Sequence, residues 1–276
     1  MDKKLKIRIF LRSFLIQAGW NYERFQNIGF YLSIYPALEK IWKDKPAEFK
    51  KSLLRHFSTF NTQPFFVGFI LGNAWKMEEK LSAEPSETLE KNISNVKQAL
   101  ACSFASIGDR IFWGRLKPIT TQICITVWIL TGYTGWLITS ESRRWLSDAS
   151  LLAGPLAGIL IYSVFAVYLR WRGISIGYDC GGISSCGLET ANWSRIIKHL
   201  SAAGFILSAF LILFSVFALV STAANTAGPA GIIYNMFPPL AVFLLHRIVR
   251  RFQKSIFYAI GAILLVSIAW SMAAGM

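Results

Sequence analysis

The chain has 276 residues, of which 54% are hydrophobic, with 21 Phe and 10 Trp among them. A soluble protein of this length seldom carries so much apolar surface, so the composition favours a membrane protein. The formal net charge of +14 would suit nucleic-acid binding, but the basic residues bracket apolar runs and form no stripe on a soluble module. We therefore expect membrane lipid with anionic headgroups, and no nucleic acid, as the partner of these residues.

Residues 5–18 have the apolar spacing of one helical face, and the basic residues lie mostly off it. This pattern predicts an amphipathic helix lying in the membrane interface. The apolar set is Ile7, Phe10, Leu11, Phe14, Leu15 and Ala18. A core helix of a soluble domain is the alternative. Arg12 interrupts the apolar run and no small-residue cleavage site follows it, so the segment does not resemble a cleavable signal.

Aromatic and charged residues follow in residues 17–30. Trp20 and Tyr22 are amphipathic rings suited to the depth of lipid headgroups. Glu23 and Arg24 are an adjacent acid and base in an apolar setting, and we expect them to satisfy one another or nearby polar groups. Residues 43–56 are then predicted to form a charged helix with Pro46 in its first turn.

Residues 57–75 are uncharged, yet their composition does not suit a plain transmembrane helix. Polar or helix-breaking residues occur throughout: Asn61, Thr62, Gln63, Pro64, Gly68, Gly72 and Asn73. Irregular backbone at membrane depth is tolerated only where it is buried in protein or lines a cavity, so we predict a re-entrant element. Residues 99–107 are predicted to form a second one, and residues 78–90 a solvated connection between the two.

The sequence changes character at residues 107–119, IGDRIFWGRLKPI, and we predict that the chain is organised around them. Gly108 and Gly114 permit a turn or a close approach, and Pro118 suits the first turn of a helix. The single acid is Asp109, and three basic residues surround it in sequence: Arg110, Arg115 and Lys117. We expect its carboxylate to be paired, because an unpaired buried acid is costly. The alternative is a basic collar that orients the next helix.

Long uncharged runs dominate the remainder of the chain. Residues 119–139, 150–169, about 201–222, about 228–245 and 256–276 each have the length for one helical crossing, which predicts about five transmembrane helices. Residues 170–200 and 246–254 are the more basic connections, so the positive-inside rule places them in the cytoplasm. The N-terminus is then cytoplasmic and the C-terminus is outside.

The predicted fold is therefore all-α and polytopic. Residues 1–118 hold amphipathic, interfacial helices and re-entrant elements that face the cytoplasm, and residues 119–276 form a transmembrane helical domain. Gly154 and Gly158, four apart, are candidates for a helix-packing face. Helix-breaking residues in the last hairpin favour a substrate site near mid-membrane or a merely kinked hairpin. They are Asn225, Pro229, Asn235, Pro238 and Pro239.

No catalytic signature is found: there is no phosphate-binding loop, zinc-protease motif or nucleophile elbow. His56, His199 and His246 are scattered among basic neighbours, and we expect solvated or interfacial side chains without an orienting carboxylate. The four cysteines form no CxxC pair, and Cys180 with Cys186 alone cannot supply a four-ligand zinc site. Free thiols, no metal and no cofactor are expected.

Four blocks of sequence resemble a known family. Residues 17–30, 55–72, 107–119 and 169–178 are similar, in order, to signatures of the IID membrane subunit of mannose-family sugar phosphotransferase systems. The resemblance implies a non-catalytic subunit of the bacterial inner (plasma) membrane. With a IIC membrane subunit it would form the permease for a mannose-type hexose, while cytoplasmic IIA and IIB subunits carry the phosphoryl group and IIB phosphorylates the sugar.

The sequence departs from the family pattern at several points. Gln63 stands where the family usually has His, and Phe104-Ala105-Ser106 stands where it has a Pro-Leu-Ala-Gly run. Arg110 and Arg115 replace small or uncharged residues. These departures bear on which sugar is carried and on transport competence.

Seven residues are candidates for the sugar path or the subunit interface. They are Glu23, Arg24, Asn61, Thr62, Gln63, Asp109 and Trp113. Their amide, hydroxyl and carboxylate groups suit a hydroxyl-rich ligand, and Trp113 suits stacking on a pyranose. An alternative function is a membrane-bound enzyme acting on a lipid or isoprenoid substrate, with Glu23 or Asp109 as the acid–base group.

Overall fold

The computed structural model describes residues 1–130, 150–189 and 191–251, and beyond them 257, 260–265 and 268. Every regular element in these residues is helical, which confirms the all-α prediction for them. The elements are α1 (Lys3–Ser13), α2 (Asn27–Ile41), α3 (Pro46–His56), α4 (Val67–Ala83), α5 (Glu87–Ile111), a π-helical turn (Phe112–Leu116), α6 (Lys117–Leu130), α7 (Ser150–Cys180) and α8 (Trp193–Arg251).

Helix α1 begins where the Asp2 carboxylate accepts hydrogen bonds from the backbone N–H groups of Lys4 and Leu5, which satisfies two donors that a helix start leaves free. The helix ends at Ser13, earlier than predicted. Leu5 and Ile9 face the protein core. The predicted apolar face points outward, as expected for an interfacial helix, since four of its members are exposed: Ile7, Leu11, Phe14 and Leu15.

Helix α4 lies at the centre of the N-terminal half. Residues 67–75 are all buried, as expected for a helix that other elements surround on all sides. The backbone is irregular over residues 57–66 and helical over residues 67–75, and the re-entrant position of this segment stays a prediction. The predicted solvated connection is wrong, because α4 continues to Ala83 and α5 begins at Glu87.

Close packing of α4 against α7 depends on glycine. The glycines are Gly68 and Gly72 on α4 and Gly173 and Gly177 on α7. A Cβ added at Gly72 would lie 2.1 Å from the carbonyl oxygen of Ile174, and one added at Gly177 would lie 2.0 Å from that of Phe69. Only glycine permits such an approach of two backbones, in the manner of paired small-xxx-small motifs. Sequence reasoning treated the two α4 glycines as helix breakers.

Helix α5 is continuous through residues 99–107, so the backbone is not broken there, and the second re-entrant element stays a prediction. Its buried residues recur along one face, from Ile93 through Leu100 and Phe104 to Ile111. The π-helical turn joins α5 to α6, and Pro118 is the second residue of α6. This confirms Pro118 in a first turn, where its missing N–H is tolerated.

Gly154 and Gly158 do form a packing face, and it lies within the chain. A Cβ at Gly154 would lie 2.6 Å from the Cys124 carbonyl oxygen, and one at Gly158 would lie 3.0 Å from the Thr120 carbonyl oxygen. The bare backbone of α7 thus allows close contact with α6.

Within the described residues, two helical stretches are long and apolar enough to cross a membrane, Leu152–Cys180 and Trp193–Ala218. The chain divides into two compact units, residues 1–133 with 144–207 and residues 134–143 with 208–276. In α8 the backbone stays helical to Arg251, so the predicted turn at residues 223–227 is absent there. A proline kinks a helix more readily than it ends one when the flanking residues favour helix. The predicted crossings 119–139 and 256–276 lie partly outside the described residues.

Candidate functional site

A buried charge cluster joins α2, α3, α4 and α5. The Glu78 carboxylate has no exposed surface and accepts hydrogen bonds from Trp42 Nε1, Arg55 Nε and His56 Nε2, each at 2.9 Å. Arg55 also pairs with Glu90 through Nη1. Such a cluster holds four helices in register, because each buried charge keeps its partner only in this arrangement.

Burial and hydrogen bonding set the ionisation of this cluster. Burial raises the pKa of Glu78, but the hydrogen bonds and charges of His56 and Arg55 outweigh it and lower the pKa to about 2. Burial lowers the pKa of His56 below its usual 6.5, against the opposing effect of Glu78. Lys97 lies nearby and donates to the Arg55 carbonyl oxygen and to Ser58 Oγ. Its burial, together with the charge of Arg55, lowers the pKa of Lys97 to about 8.

These contacts correct the prediction for His56. Its side chain is fully buried, and Glu78 is the orienting carboxylate that sequence reasoning did not find. The signal was hidden because 22 residues separate the two in sequence. A histidine without solvent exposure is not placed to accept a phosphoryl group from another protein.

The segment with Asn61, Thr62 and Gln63 is held by α2 and α5. Gln26 Nε2 donates to the Thr62 carbonyl oxygen at 2.9 Å, and the Thr62 N–H donates to Gln26 Oε1 at 3.1 Å. Thr62 Oγ1 donates to the Ala101 carbonyl oxygen at 3.0 Å. The side chains of Thr62 and Gln63 are therefore turned inward, whereas Asn61 is exposed.

Gln63 has a free hydrogen-bond donor. Its Oε1 accepts from the Phe65 N–H at 3.1 Å, while its Nε2 is buried without a hydrogen-bond partner. The side chain lies over Gly108, where an added Cβ would come within 2.3 Å of Gln63 Cγ. This explains the glycine beside Asp109: it makes room for the glutamine.

Arg170 ties the same segment to α1 and α7. It is buried, and its Nη1 and Nη2 donate to the carbonyl oxygens of Ser13 and Pro64, each at 3.0 Å. Its guanidinium lies over the rings of Phe14 and Phe65, and its Nε is buried without a partner. Sequence reasoning did not single out Arg170, although a charge inside an apolar helix is a recognised signal of a functional or structural role.

The remaining predicted residues lie on the surface and fall into two places. Glu23 and Arg24 lie in the loop between α1 and α2 and pair with one another, with Arg24 Nε 3.2 Å from Glu23 Oε1, as expected. Asp109 and Trp113 lie at the junction of α5 and the π-helical turn. Within the described part of the chain, no ion pair forms at Asp109, and its side chain is exposed. The expectation that Asp109 is buried is therefore wrong for this chain, and the organising role of residues 107–119 stays a prediction.

The family model for the PTS system mannose/fructose/sorbose family IID component matches residues 1–276. The chain belongs to this family. It is 30% identical over 173 residues to the mannose-specific EIID component of Escherichia coli K12, covering 63% of the chain and 54% of the relative. It is 28% identical over 206 residues to the sorbose-specific EIID component of Klebsiella pneumoniae, covering 75% of the chain and 66% of the relative.

This IID chain thus spans about half to two thirds of the length of these relatives. Among solved structures, it is similar to a chain from the cryo-EM structure of the mannose transporter ManYZ in complex with microcin E492. The TM-score is 0.55 at 23% identity, covering 100% of this chain and 98% of the other. This likeness supports the all-helical membrane-protein fold.

A disulfide corrects the expectation of free thiols in the IID chain. Cys180 ends α7 and is bonded to Cys186, with Cα atoms 5.6 Å apart. The turn between them includes Gly182 at φ +97°, a conformation that glycine adopts readily. Asn73 on α4 holds the same turn by donating to the Ile183 carbonyl oxygen. Cys102 and Cys124 are free, and no metal-binding cluster occurs among the described residues.

Proposed function

We propose that this chain is the IID membrane subunit of a phosphoenolpyruvate-dependent sugar phosphotransferase system. With a IIC subunit it forms the permease that carries a mannose-type hexose, and IIB phosphorylates the sugar after receiving the phosphoryl group from IIA. The observation that carries this proposal is the match of the family model over the whole chain. The structurally similar ManYZ complex is a mannose transporter, which agrees with it.

The chain is a transport subunit and does not itself catalyse phosphoryl transfer. Glu78, whose pKa is lowered to about 2, is fully engaged with three side chains and has no exposed surface. An acid–base catalyst must reach its substrate. This favours the transport role over the lipid or isoprenoid enzyme, for which Glu23 and Asp109 are exposed but lack a second carboxylate or a metal site among the described residues.

The membrane position follows from two surfaces. Exposed apolar side chains on α1 are interspersed with Arg8 and Arg12, which suits an interfacial helix on anionic lipid. Tyr22, 90% exposed in the next loop, suits headgroup depth. The positive-inside rule places the N-terminus in the cytoplasm.

The buried and exposed candidates take different roles. Thr62 has its N–H, carbonyl and hydroxyl groups engaged and serves the architecture. Gln63 keeps an unpaired amide donor, but this donor is buried, so contact with a sugar hydroxyl would require the segment around Gln63 to open. Glu23, Arg24, Asn61, Asp109 and Trp113 are exposed and are candidates for contacts outside the chain.

Purification from native membranes tests the proposal. A tagged chain is expected to copurify with a IIC subunit, and vesicles with this pair plus IIA and IIB are expected to phosphorylate a mannose-type hexose at the expense of phosphoenolpyruvate. Omitting this chain should abolish uptake, while omitting IIB should abolish phosphorylation. Sugar phosphorylation that is indifferent to this chain, or turnover of a lipid by the chain alone, would contradict the proposal.

A further inference from the structure

One face of α5 and the π-helical turn is exposed from Asn95 to Trp113. Its residues are Asn95, Gln98, Cys102, Ser106, Asp109 and Trp113, and all six are exposed. Their spacing of three or four residues places them on a single helical stripe. We call this stripe the α5 outer face. The opposite stripe, including Leu100 and Phe104, is buried in the core.

The chemistry of the α5 outer face does not suit hydrocarbon. Amide, thiol and hydroxyl groups follow one another along it, and each would lose hydrogen bonds to water if lipid tails covered it. Its C-terminal end carries both signs of charge, since the Asp109 carboxylate lies next to the exposed Arg110. A covering surface that pairs Asp109 must therefore offer hydrogen bonds and a basic group.

The face also differs from an ordinary solvated helix. Between residues 92 and 108 the only charged side chain is Lys97, and it is buried beneath the opposite side. The exposed side chains in this interval are short or uncharged. Depletion of charge in the centre of a patch is typical of protein interfaces, and small residues let helices of a membrane complex approach closely.

The C-terminal end of the α5 outer face has the features of an anchoring point. Trp113 is 55% exposed and lies beside Gly114, where an added Cβ would meet nothing closer than the Asp109 carbonyl oxygen at 3.6 Å. A partner side chain thus finds a large ring next to open backbone. Exposed Trp and Arg are enriched among the residues that contribute most to binding, and Arg110 is adjacent and exposed.

We propose that the α5 outer face is the surface on which this chain binds its companion membrane subunit. The partner contributes a helix with small or hydrogen-bonding side chains, and it places a basic group opposite Asp109. Ordered packing of the stripe excludes water from Cys102 and Ser106, and Trp113 fills a pocket of the partner. The proposal rests on the proposed function, because it requires the IIC subunit as the occupant.

The native thiol of Cys102 provides the test. In a Cys124→Ser background, Cys102 is the one free cysteine, and its maleimide labelling rate is compared between the chain alone and the copurified complex. We expect labelling to slow by about tenfold or more in the complex, since interface cores exclude solvent. A cysteine introduced at Tyr22 serves as the matched control and should label equally in both samples.

A bulky substitution tests the same face independently. Ser106→Trp is expected to lower recovery of the companion subunit by about tenfold, because packed helices do not accommodate the extra volume. Leu54→Trp, at an exposed position of α3, should leave recovery unchanged. Abundance of the chain itself should be normal in both variants.

The outcomes separate the two proposals. If a IIC subunit copurifies but Cys102 labels at the same rate with and without it, the α5 outer face is not the interface, and the proposed function stands. Normal recovery with Ser106→Trp leads to the same conclusion. If no membrane subunit copurifies with the wild-type chain, both proposals are overturned.

Discussion

Glu78 and Asp109 are acids in the same half of the chain, and their surroundings are opposite. Glu78 is enclosed by donors from three side chains, Trp42 after α2 and two residues of α3, whereas Asp109 is exposed at the end of α5 with no ion pair within the described residues. The first acid connects helices of this chain. The second is available to a group outside it. An acid that is conspicuous in a sequence motif is therefore not necessarily the acid that holds the fold together.

Substitution of Glu78 is expected to have the largest effect. Glu78→Gln removes the charge opposite Arg55 and His56 while keeping the size of the side chain, and a buried pair that loses one partner costs about 3–5 kcal/mol. We expect membrane abundance and the thermal unfolding midpoint to fall sharply. Glu84→Gln, an exposed residue just beyond α4, removes the same charge and should behave as wild type. Normal stability of Glu78→Gln would show that the cluster is not what joins these helices.

The difference between these acids could not be read from the sequence. The partners of Glu78 lie 22 to 36 residues away on separate elements, and only the packing of α2, α3 and α4 brings them together. By contrast, local signals sufficed where one segment determines the outcome: the apolar spacing of α1, and the first-turn positions of Pro46 and Pro118. The contact of α1 with the core was not predicted, because Leu5 and Ile9, which make it, are not members of the predicted apolar face.

The roles of two glycines also could not be predicted from the sequence. Gly68 and Gly72 looked like interruptions of a helix, since glycine lowers helix propensity. Their role became visible only when α7, about a hundred residues later in the chain, was packed on them with its own glycines, in the manner of small-residue helix contacts. For the candidate site, the polar residue types directed attention to the 61–63 segment, but which of them retains an unpaired donor depends on contacts with Gln26, Ala101 and Phe65.

Low pH should lower the free energy of unfolding through the buried groups around Glu78. The pKa of Glu78 is lowered from 4.5 to about 2 in the folded chain, so the unfolded chain binds more protons as pH falls below 4.5, and stability is lost between pH 4.5 and 2. The full effect is about 3 kcal/mol. His56 also makes the folded chain less stable as pH falls below 6.5. Burial lowers the pKa of His56 in the folded chain, so the unfolded chain binds a proton at a higher pH than the folded chain does.

Unfolding midpoints measured from pH 8 to pH 3 check this. His56→Gln keeps a donor for Glu78 but does not titrate, so its stability should decline less than that of wild type between pH 6.5 and 5. A stability profile that is flat from pH 8 to pH 3 would contradict the buried positions of both groups.

The glycine contact between α4 and α7 should show an intermediate effect. Gly72→Ala places a Cβ 2.1 Å from a backbone oxygen, and the helices must move apart, at a cost of about 1–3 kcal/mol by analogy with overpacked cores. Gly114→Ala, where the nearest atom is 3.6 Å away, is the matched control and should be close to neutral. The comparison is made by thermal unfolding of the two purified variants, and equal midpoints would mean that the backbones are not in contact.

The smallest effect on stability is expected at Asp109. Because its carboxylate is exposed and makes no ion pair in the described residues, Asp109→Asn should change the free energy of unfolding by no more than about 0.5 kcal/mol. Any change should appear in recovery of the companion subunit, since Asn cannot attract the basic group proposed opposite it. Asp44→Asn, an exposed acid before α3, controls for loss of one surface charge. Reduced stability of Asp109→Asn would mean that Asp109 resembles Glu78 after all, whereas reduced partner recovery at normal stability separates an acid that binds a neighbour from one that holds the fold.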